Sequence, residues 1–193
     1  MLNIIWCDRL DVIDAIQKRR AYRSLEPVKI TKELIDDLSE CAHLSASCFN
    51  NQPWRYIFVY DKKILTKVFD TLSSGNEWAK AASMIIVVFS KKEDDCVIHD
   101  REYYLFDTGM ATAHIILRAT ELDLVAHPIA GYSPRKTRNI LGIPDEYMVI
   151  ALVIVGKKSE TISTVLSDKQ VEAEKNRPER ISIDEMIYHN KFK

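Results

Sequence analysis

The sequence predicts one α+β domain in which helices cover a central sheet, and three observations support that prediction. The chain has 193 residues, 47% of them hydrophobic and 28% charged, which is typical of a globular domain with its own core. Residues 84–89 and 149–155 are continuously apolar and β-branched, which is typical of central strands covered on both faces. Helical patterns separate these strands without a repeat or a Gly/Ser linker, so we expect residues 1–193 to form a single domain.

The first third of the chain predicts two helices. Apolar residues recur at helical spacing over residues 10–16, and the pattern ends in a basic run at 18–20 that suits the negative end of a helix. Thr31 is a candidate N-cap for a second helix that reaches about Leu44. The next two predicted elements are a strand at 56–60 and a helix at 64–72.

The second half predicts a long helix, a short helix and a polar tail. Residues 104–122 should form a mostly buried helix. Its expected buried positions are Leu105, Met110, Ala113, Ile116, Leu117 and Thr120. Ser133 and Pro134 supply an N-cap hydroxyl and an N1 proline for a helix that stops near Gly142. Residues 159–193 form a largely polar tail, which we expect to lie against a partner subunit.

The charge and hydropathy of the chain exclude several classes of function. A formal net charge of −1 argues against a protein whose main task is to bind nucleic acid. The start of the chain is too soon interrupted by charge to be a signal peptide. No apolar run approaches the ~20 residues that span a bilayer. We therefore expect a cytoplasmic protein without a membrane segment.

The cysteines and histidines do not predict a metal site. Cys7, Cys41, Cys48 and Cys96 are scattered and include no CxxC pair, so we expect reduced thiols. Cys48 is interpreted as a small packing residue, since no neighbour in the sequence lowers its pKa. No pair of histidines has the spacing of a metal site, and none of them is assigned a catalytic role.

A first segment concentrates positive charge where the first predicted helix stops. Arg19, Arg20 and Arg23 follow that helix directly. Guanidinium groups are permanently charged and bind phosphate through paired donors. The segment therefore indicates either an anion site or a solvated basic helix end.

A second segment places three amides before a proline and a tryptophan. Asn50, Asn51 and Gln52 offer donors and acceptors together, which matches the alternating edge of a pyrimidine-like ring. Pro53 favours an extended conformation before it, so these amides should lie on a turn. The alternative is an ordinary loop between a helix and a strand, with Trp54 buried in the core.

Together these segments resemble the FMN-dependent nitroreductase family. The resemblance rests on Arg-Arg-x-x-Arg at 19–23 and, more specifically, on Ser-x-x-Asn-x-Gln-Pro-Trp at 47–54. It continues, in the expected order, through residues 107–111, 128–132, 141–144 and 177–180. It implies a nitroreductase-like fold with a mostly antiparallel sheet covered by helices. It also implies a homodimer with FMN at the subunit interface.

The resemblance assigns the arginine segment to the cofactor of its own subunit. Arg19 would contact the FMN phosphate and ribityl region, while Arg20 and Ala21 would contribute mainly through backbone groups. Arg23 would face the pyrimidine end, where reduced flavin gathers negative charge that a fixed cation stabilises. Ala21 stands where the family usually has serine, so one hydroxyl contact is absent.

Other cofactor contacts are implied farther along the chain. The backbone N–H groups of Ala130 and Gly131 would approach flavin N5 and O4, and some members carry glutamate in place of Ala130. Arg177 and Arg180 are both candidates for a second phosphate contact, and their spacing does not decide between them. Asn76 is a further candidate for the pyrimidine edge.

Ser47 and Asn50 would contact the cofactor of the other subunit, because the family builds its site across the dimer. Gln52 lies in the same segment and is included among the candidate cofactor-binding residues. Ala46 stands where the family usually has proline, which leaves this turn less rigid.

The implied activity is that of an FMN-dependent NAD(P)H oxidoreductase. NADH or NADPH would deliver hydride to the flavin and leave, and a small acceptor such as a nitro compound, quinone or flavin would follow by a ping-pong mechanism. No catalytic side chain is assigned, because the flavin supplies the chemistry. Alternatives are an FMN-binding protein that stores or senses the cofactor, a specialised dehalogenase or flavin-cleaving branch, and a dimerisation domain without cofactor.

Overall fold

The computed structural model describes residues 11–192, so the predictions that involve Leu10 and Cys7 lie outside the described residues. The six α-helices of this part are α1 Val12–Lys18, α2 Lys32–His43, α3 Lys62–Phe69, α4 Tyr104–Glu121, α5 Pro134–Leu141 and α6 Asp168–Lys175. The strands are β1 Leu25–Glu26, β2 Arg55–Val59, β3 Met84–Ser90, β4 Val97–Ile98, β5 Arg101–Glu102, β6 Leu124–Ile129 and β7 Met148–Lys158. Over residues 11–192, no helix combines the length and the apolar character needed to cross a membrane.

The main sheet is antiparallel throughout and is organised around β7. This strand pairs with β3 and with β6, while β1 pairs with its last two residues and β2 pairs with β3. The two short strands β4 and β5 form a separate hairpin between β3 and α4. The predicted antiparallel, helix-covered α+β sheet is confirmed.

The two apolar runs form the central strands and are covered on both faces. In β3, Ile85 and Val87 belong to one buried cluster, with α3, α5 and Trp78. Met84, Ile86 and Val88 belong to a second cluster on the opposite face, with α2 and α4. Alternate residues of a strand point to opposite faces, so a strand buried on both sides must be apolar at every position.

The predicted helix boundaries follow from capping groups. Thr31 caps α2 by accepting a hydrogen bond from the Leu34 N–H at 3.3 Å, and Ser133 caps α5 by accepting one from the Lys136 N–H at 3.4 Å. Gly142 ends α5 with a φ of 67°, a left-handed conformation that suits glycine. The third helix begins earlier than predicted because Asp61 caps it, and it ends at Phe69.

Three features differ from the prediction. The buried face of α4 includes Asp107, Ala111 and Ile115, whereas the predicted core residue Leu105 is exposed. Strand β6 was not predicted, and neither was α6. Helix α6 has a Ser167–Gln170 capping box, a local signal that its polar composition obscured.

Candidate functional site

Five arginines from the two ends of the chain line one hollow of about 130 Å³. Its lining residues are Arg19, Arg20, Ala21, Arg23, Ala173, Arg177, Pro178 and Arg180. The segment after α1 supplies one wall, and the end of α6 with the residues that follow it supplies the other. The structure thus brings together the arginines that the sequence placed about 150 positions apart.

Helix α6 is fastened to the arginine segment by hydrogen bonds. The Arg20 guanidinium donates to the carbonyl oxygens of Ala173 at 2.7 Å and Glu174 at 3.2 Å. The buried Glu174 carboxylate accepts a hydrogen bond from the backbone N–H of Arg23. Arg177 donates to the carbonyl oxygens of Gln17 and Arg19. The two walls therefore hold each other in place.

The guanidinium groups of the hollow are not paired with acidic side chains in the described chain. Within residues 11–192, none of the five arginines forms an ion pair with a carboxylate. Burial lowers the pKa of Arg19, and the charges of Arg177 and Arg180 lower it further, although an arginine remains protonated. Guanidinium groups that converge without a carboxylate partner fit a phosphate.

An aromatic stack extends from the hollow along β6. The Arg23 guanidinium lies 5.8 Å from the ring centre of Trp78, which stacks on His127 with ring centres 4.6 Å apart. His127 Nδ1 is 3.0 Å from the carbonyl oxygen of Tyr22, in the arginine segment. Burial lowers the pKa of His127 to about 4, so this ring is neutral at pH 7 and holds the segment in place.

Ala130 and Gly131 follow β6 and present free backbone donors. Neither N–H group donates a hydrogen bond to another residue of the described chain. Asn76 Nδ2 donates to the Gly131 carbonyl oxygen at 2.9 Å, so these two candidates lie together. A Cβ atom on Gly131 would lie 2.2 Å from Asn76 Nδ2, so any larger residue here would displace the Asn76 side chain.

The turn at residues 47–52 is tightly held but conformationally costly. Ser47 Oγ accepts a hydrogen bond from the Gln52 N–H at 2.9 Å, and Gln52 Nε2 donates to the Asn50 carbonyl oxygen at 3.1 Å. Phe49, Asn50 and Gln52 have φ values of 49°, 59° and 51°. Such left-handed conformations cost non-glycine residues about 1–2 kcal/mol each. Phe49 and Asn50 are exposed.

The prediction of reduced thiols is wrong for two cysteines. Cys48 and Cys96 form a disulfide with Cα atoms 6.2 Å apart, so Cys48 is not a simple packing residue. The two cysteines are 48 positions apart in the sequence, where only local spacing could be assessed, so the pair was not predicted. Cys41 is free, and burial raises the pKa of its thiol.

Asp107 anchors the turn from the first part of α4. Its buried carboxylate accepts a hydrogen bond from the Cys48 N–H at 2.6 Å. Burial raises the pKa of Asp107, and the nearby Asp95 carboxyl also raises it. The hydrogen bond from the Cys48 N–H lowers this pKa and offsets part of the rise. Trp54 is buried in the second core cluster, as the alternative interpretation of that segment expected.

The turn and the arginine segment do not meet within one chain. Strand β1 follows the arginines and pairs with Lys157 and Lys158 at the end of β7. Arg55 follows the turn and pairs with Phe89 of β3, and Phe89 in turn pairs with Val149 near the start of β7. Nine residues of strand separate Val149 from Lys158, which is roughly 30 Å.

The residues whose importance the sequence did not reveal are Glu174, Cys96 and Trp78. Each of them gains its role from a long-range contact: Glu174 with the arginine segment, Cys96 with Cys48, and Trp78 with Arg23 and His127. Only Trp78 has a local signal, because a tryptophan is costly to leave exposed.

Comparison with known proteins identifies relatives over most of the chain. A family model described as the nitroreductase family matches residues 16–82 and 71–157. A protein of Archaeoglobus fulgidus, provisionally named NADH dehydrogenase/NAD(P)H nitroreductase, is 28% identical over 151 residues, covering 76% of this chain and 84% of its own. The NADH dehydrogenase of Thermus thermophilus is 23% identical over 182 residues, which cover 78% of this chain and 88% of its own.

A solved structure described as an oxidoreductase containing FMN superimposes with a TM-score of 0.81 at 26% identity. It covers 97% of this chain, and the match spans 96% of that protein. The family model alone matches well over half of the chain. The chain therefore belongs to the nitroreductase family.

Proposed function

We propose that the protein is an FMN-dependent NAD(P)H oxidoreductase that works as a homodimer. The observation that supports this most strongly is the convergence of five arginines that are unpaired with carboxylates in the described chain. The free backbone N–H groups of Ala130 and Gly131 add donors for the flavin ring. Membership in the nitroreductase family supports the same conclusion, as does the solved relative described as containing FMN.

The fit to FMN follows from the chemistry of the two parts of the site. Arg19 and Arg180 would bind the phosphate in the hollow. Arg180 is preferred to Arg177 because Arg177 already donates to two backbone carbonyl oxygens, whereas the Arg180 side chain has no acceptor within residues 11–192. Arg20 and Ala21 shape the wall of the hollow. The Ala130 and Gly131 N–H groups would meet acceptor atoms on the flavin ring, with Asn76 fixing Gly131.

The partner subunit would complete the site. Helix α1 exposes Val12 by 73%, and α4 exposes Phe106 by 63%, so apolar faces remain to be covered. The C-terminal residues 181–192 expose a further set of apolar side chains, which are Ile181, Ile183, Met186, Ile187, Tyr188 and Phe192. We propose that these surfaces pack on a second copy, which brings Ser47, Asn50 and Gln52 to the partner's flavin.

Bound FMN would accept a hydride from NADH or NADPH and pass two electrons to a small acceptor such as a nitro compound, quinone or flavin. The proposed order is ping-pong: the nicotinamide leaves before the acceptor takes its place. The protein binds and orients the reactants and places Arg23 where negative charge develops. His127 remains neutral at pH 7 and holds the arginine segment, so it is not assigned the role of a proton donor.

An anaerobic titration tests the proposal. The purified protein is reconstituted with FMN, and the visible flavin absorbance is followed as NADH or NADPH is added. Loss of the oxidised-flavin absorbance, followed by its return when a quinone is added, is the expected result. Failure to retain FMN contradicts the cofactor assignment, and FMN that resists both nucleotides favours a storage or sensing protein.

A further inference from the structure

The turn between Cys48 and Gln52 holds a large aromatic side chain away from the chain's own core. Phe49 is 82% exposed and belongs to neither of the two core clusters. Its φ of 49° is costly for a residue with a Cβ atom. Such conformations persist only where the surroundings impose them, and they occur preferentially at functional sites.

A covalent bond lies directly beside this left-handed residue. The Cys48–Cys96 disulfide immediately precedes Phe49 and ties the turn to the segment between β3 and α4. Neighbouring contacts join the same two segments: Asn51 donates to Asp95 at 3.3 Å, and Arg55 pairs with Asp94 at 3.1 Å.

The segment that receives the disulfide is otherwise weakly attached. Strands β4 and β5 pair only with each other and not with the main sheet of the described chain. The Lys92–Glu102 ion pair that spans the segment is partly exposed, and such pairs contribute little to stability. The disulfide is therefore the strongest connection that keeps the turn in place.

We propose that Phe49 is an acceptor-specificity residue, which the Cys48–Cys96 disulfide positions over the flavin of the partner subunit. This inference rests on the proposed function, because Ser47 and Asn50 on either side of Phe49 are the residues expected at that flavin. A flat aromatic compound that stacks on the flavin would then contact the Phe49 ring on its other side or edge. Cys48 and Cys96 act as positioning residues and do not touch the acceptor.

The test measures the binding of an unreactive flat aromatic compound, nicotinic acid, to the oxidised FMN-loaded protein through the change in flavin absorbance. The variants are Phe49→Ala and the double variant Cys48→Ser/Cys96→Ser, with Cys41→Ser as the matched control because Cys41 is free. Peptide mapping without reductant verifies the disulfide in each sample. Protein treated with a dithiol, which gives two electrons and two protons to the Cys48–Cys96 disulfide and is itself oxidised to a cyclic disulfide, is measured before and after the two thiols are reoxidised by an added small-molecule disulfide.

The Kd of nicotinic acid should rise about threefold to tenfold in Phe49→Ala, the range expected for one aromatic contact. The Kd should rise by a similar factor in the double cysteine variant and in the dithiol-treated protein. Reoxidation of the dithiol-treated protein should return its Kd to the wild-type value. Cys41→Ser should match the wild type. An unchanged Kd in Phe49→Ala overturns the specificity role, and an unchanged Kd after loss of the disulfide overturns the positioning role.

A second readout separates this inference from the proposed function. The enzyme is reduced with one equivalent of NADH and then mixed with one of two acceptors. A quinone must stack on the flavin to accept electrons, whereas ferricyanide can accept them without stacking. Phe49→Ala should slow reoxidation by the quinone at low concentration and leave reoxidation by ferricyanide unchanged. Equal slowing of both contradicts a stacking role. A wild-type protein that does not bind FMN or accept electrons from NADH defeats the proposed function itself.

Discussion

Replacement of Glu174 by alanine should destabilise both the fold and the cofactor site. The buried carboxylate accepts a hydrogen bond from the Arg23 N–H and lies beneath the arginine segment. Alanine leaves that half-buried N–H without its acceptor. Hydrogen bonds to charged groups contribute about 1.5–3 kcal/mol, so Glu174→Ala should lower the free energy of unfolding by about 2 kcal/mol.

Urea denaturation measures this loss, and FMN binding reports its effect on the site. With an m-value of about 2 kcal/mol/M, the midpoint should fall by about 1 M urea. Glu174→Gln retains an acceptor oxygen and should recover at least half of the lost stability. The affinity for FMN should fall in Glu174→Ala, because the backbone of Arg23 loses its acceptor on α6.

Glu172→Ala is the matched control, since it removes an exposed glutamate from the same helix. Its side chain accepts only from Asn176 in the described chain, and its loss should change the free energy of unfolding by less than about 0.5 kcal/mol. The reasoning is refuted if Glu174→Ala unfolds at the same urea concentration as Glu172→Ala, or if Glu174→Gln is as harmful as Glu174→Ala.

Three further predictions follow from other contacts. Arg19→Ala should weaken FMN binding at least tenfold in fluorescence titrations and leave the affinity for riboflavin, which lacks the phosphate, nearly unchanged. Equal losses of affinity for the two flavins contradict the phosphate assignment. Gly131→Ala should displace Asn76 and lower FMN affinity, whereas Gly109→Ala, where a Cβ meets nothing within 4 Å, should not. His127 has a pKa of about 4 in the folded protein and about 6.5 in the unfolded chain, so the unfolded chain binds the proton first as the pH falls. The free energy of unfolding should therefore fall by up to about 3 kcal/mol between pH 6.5 and 4. His127→Phe, which keeps an aromatic ring, should lose that part of the pH dependence in urea denaturation.

The fold was predictable where local signals and burial agree. Strands β3 and β7 follow from apolar runs, and α2 and α5 begin at the expected Thr31 and Ser133 caps. The prediction failed for α6 because its helical signal lies in a capping box rather than in apolar periodicity. On α4 the prediction was correct for Thr120, which is buried, but wrong for Leu105, which is exposed. It missed Ala111 and Thr112 because these buried residues are small or polar.

The candidate site was only partly predictable. Local motifs identified Arg19 to Arg23 and the 47–52 turn, and the structure places Arg177 and Arg180 beside the first of these. Long-range pairs could not be derived from one sequence, which explains why the Glu174 contact and the Cys48–Cys96 disulfide were missed. The arginine segment and the turn lie near opposite ends of β7. This separation supports the prediction of a site shared between two subunits, which the motifs alone only suggested.

Complementation between two defective variants tests the shared site most directly. One chain carries Arg19→Ala and the other carries Ser47→Ala/Asn50→Ala, and each alone should form dimers that retain little FMN. When equal amounts are refolded together, half of the dimers should be mixed, and each mixed dimer should hold one intact site. The account predicts that bound FMN recovers to about one quarter of the wild-type content. Mixed dimers that form without any recovery would show that the arginines and the turn serve the same chain's cofactor, which contradicts the account.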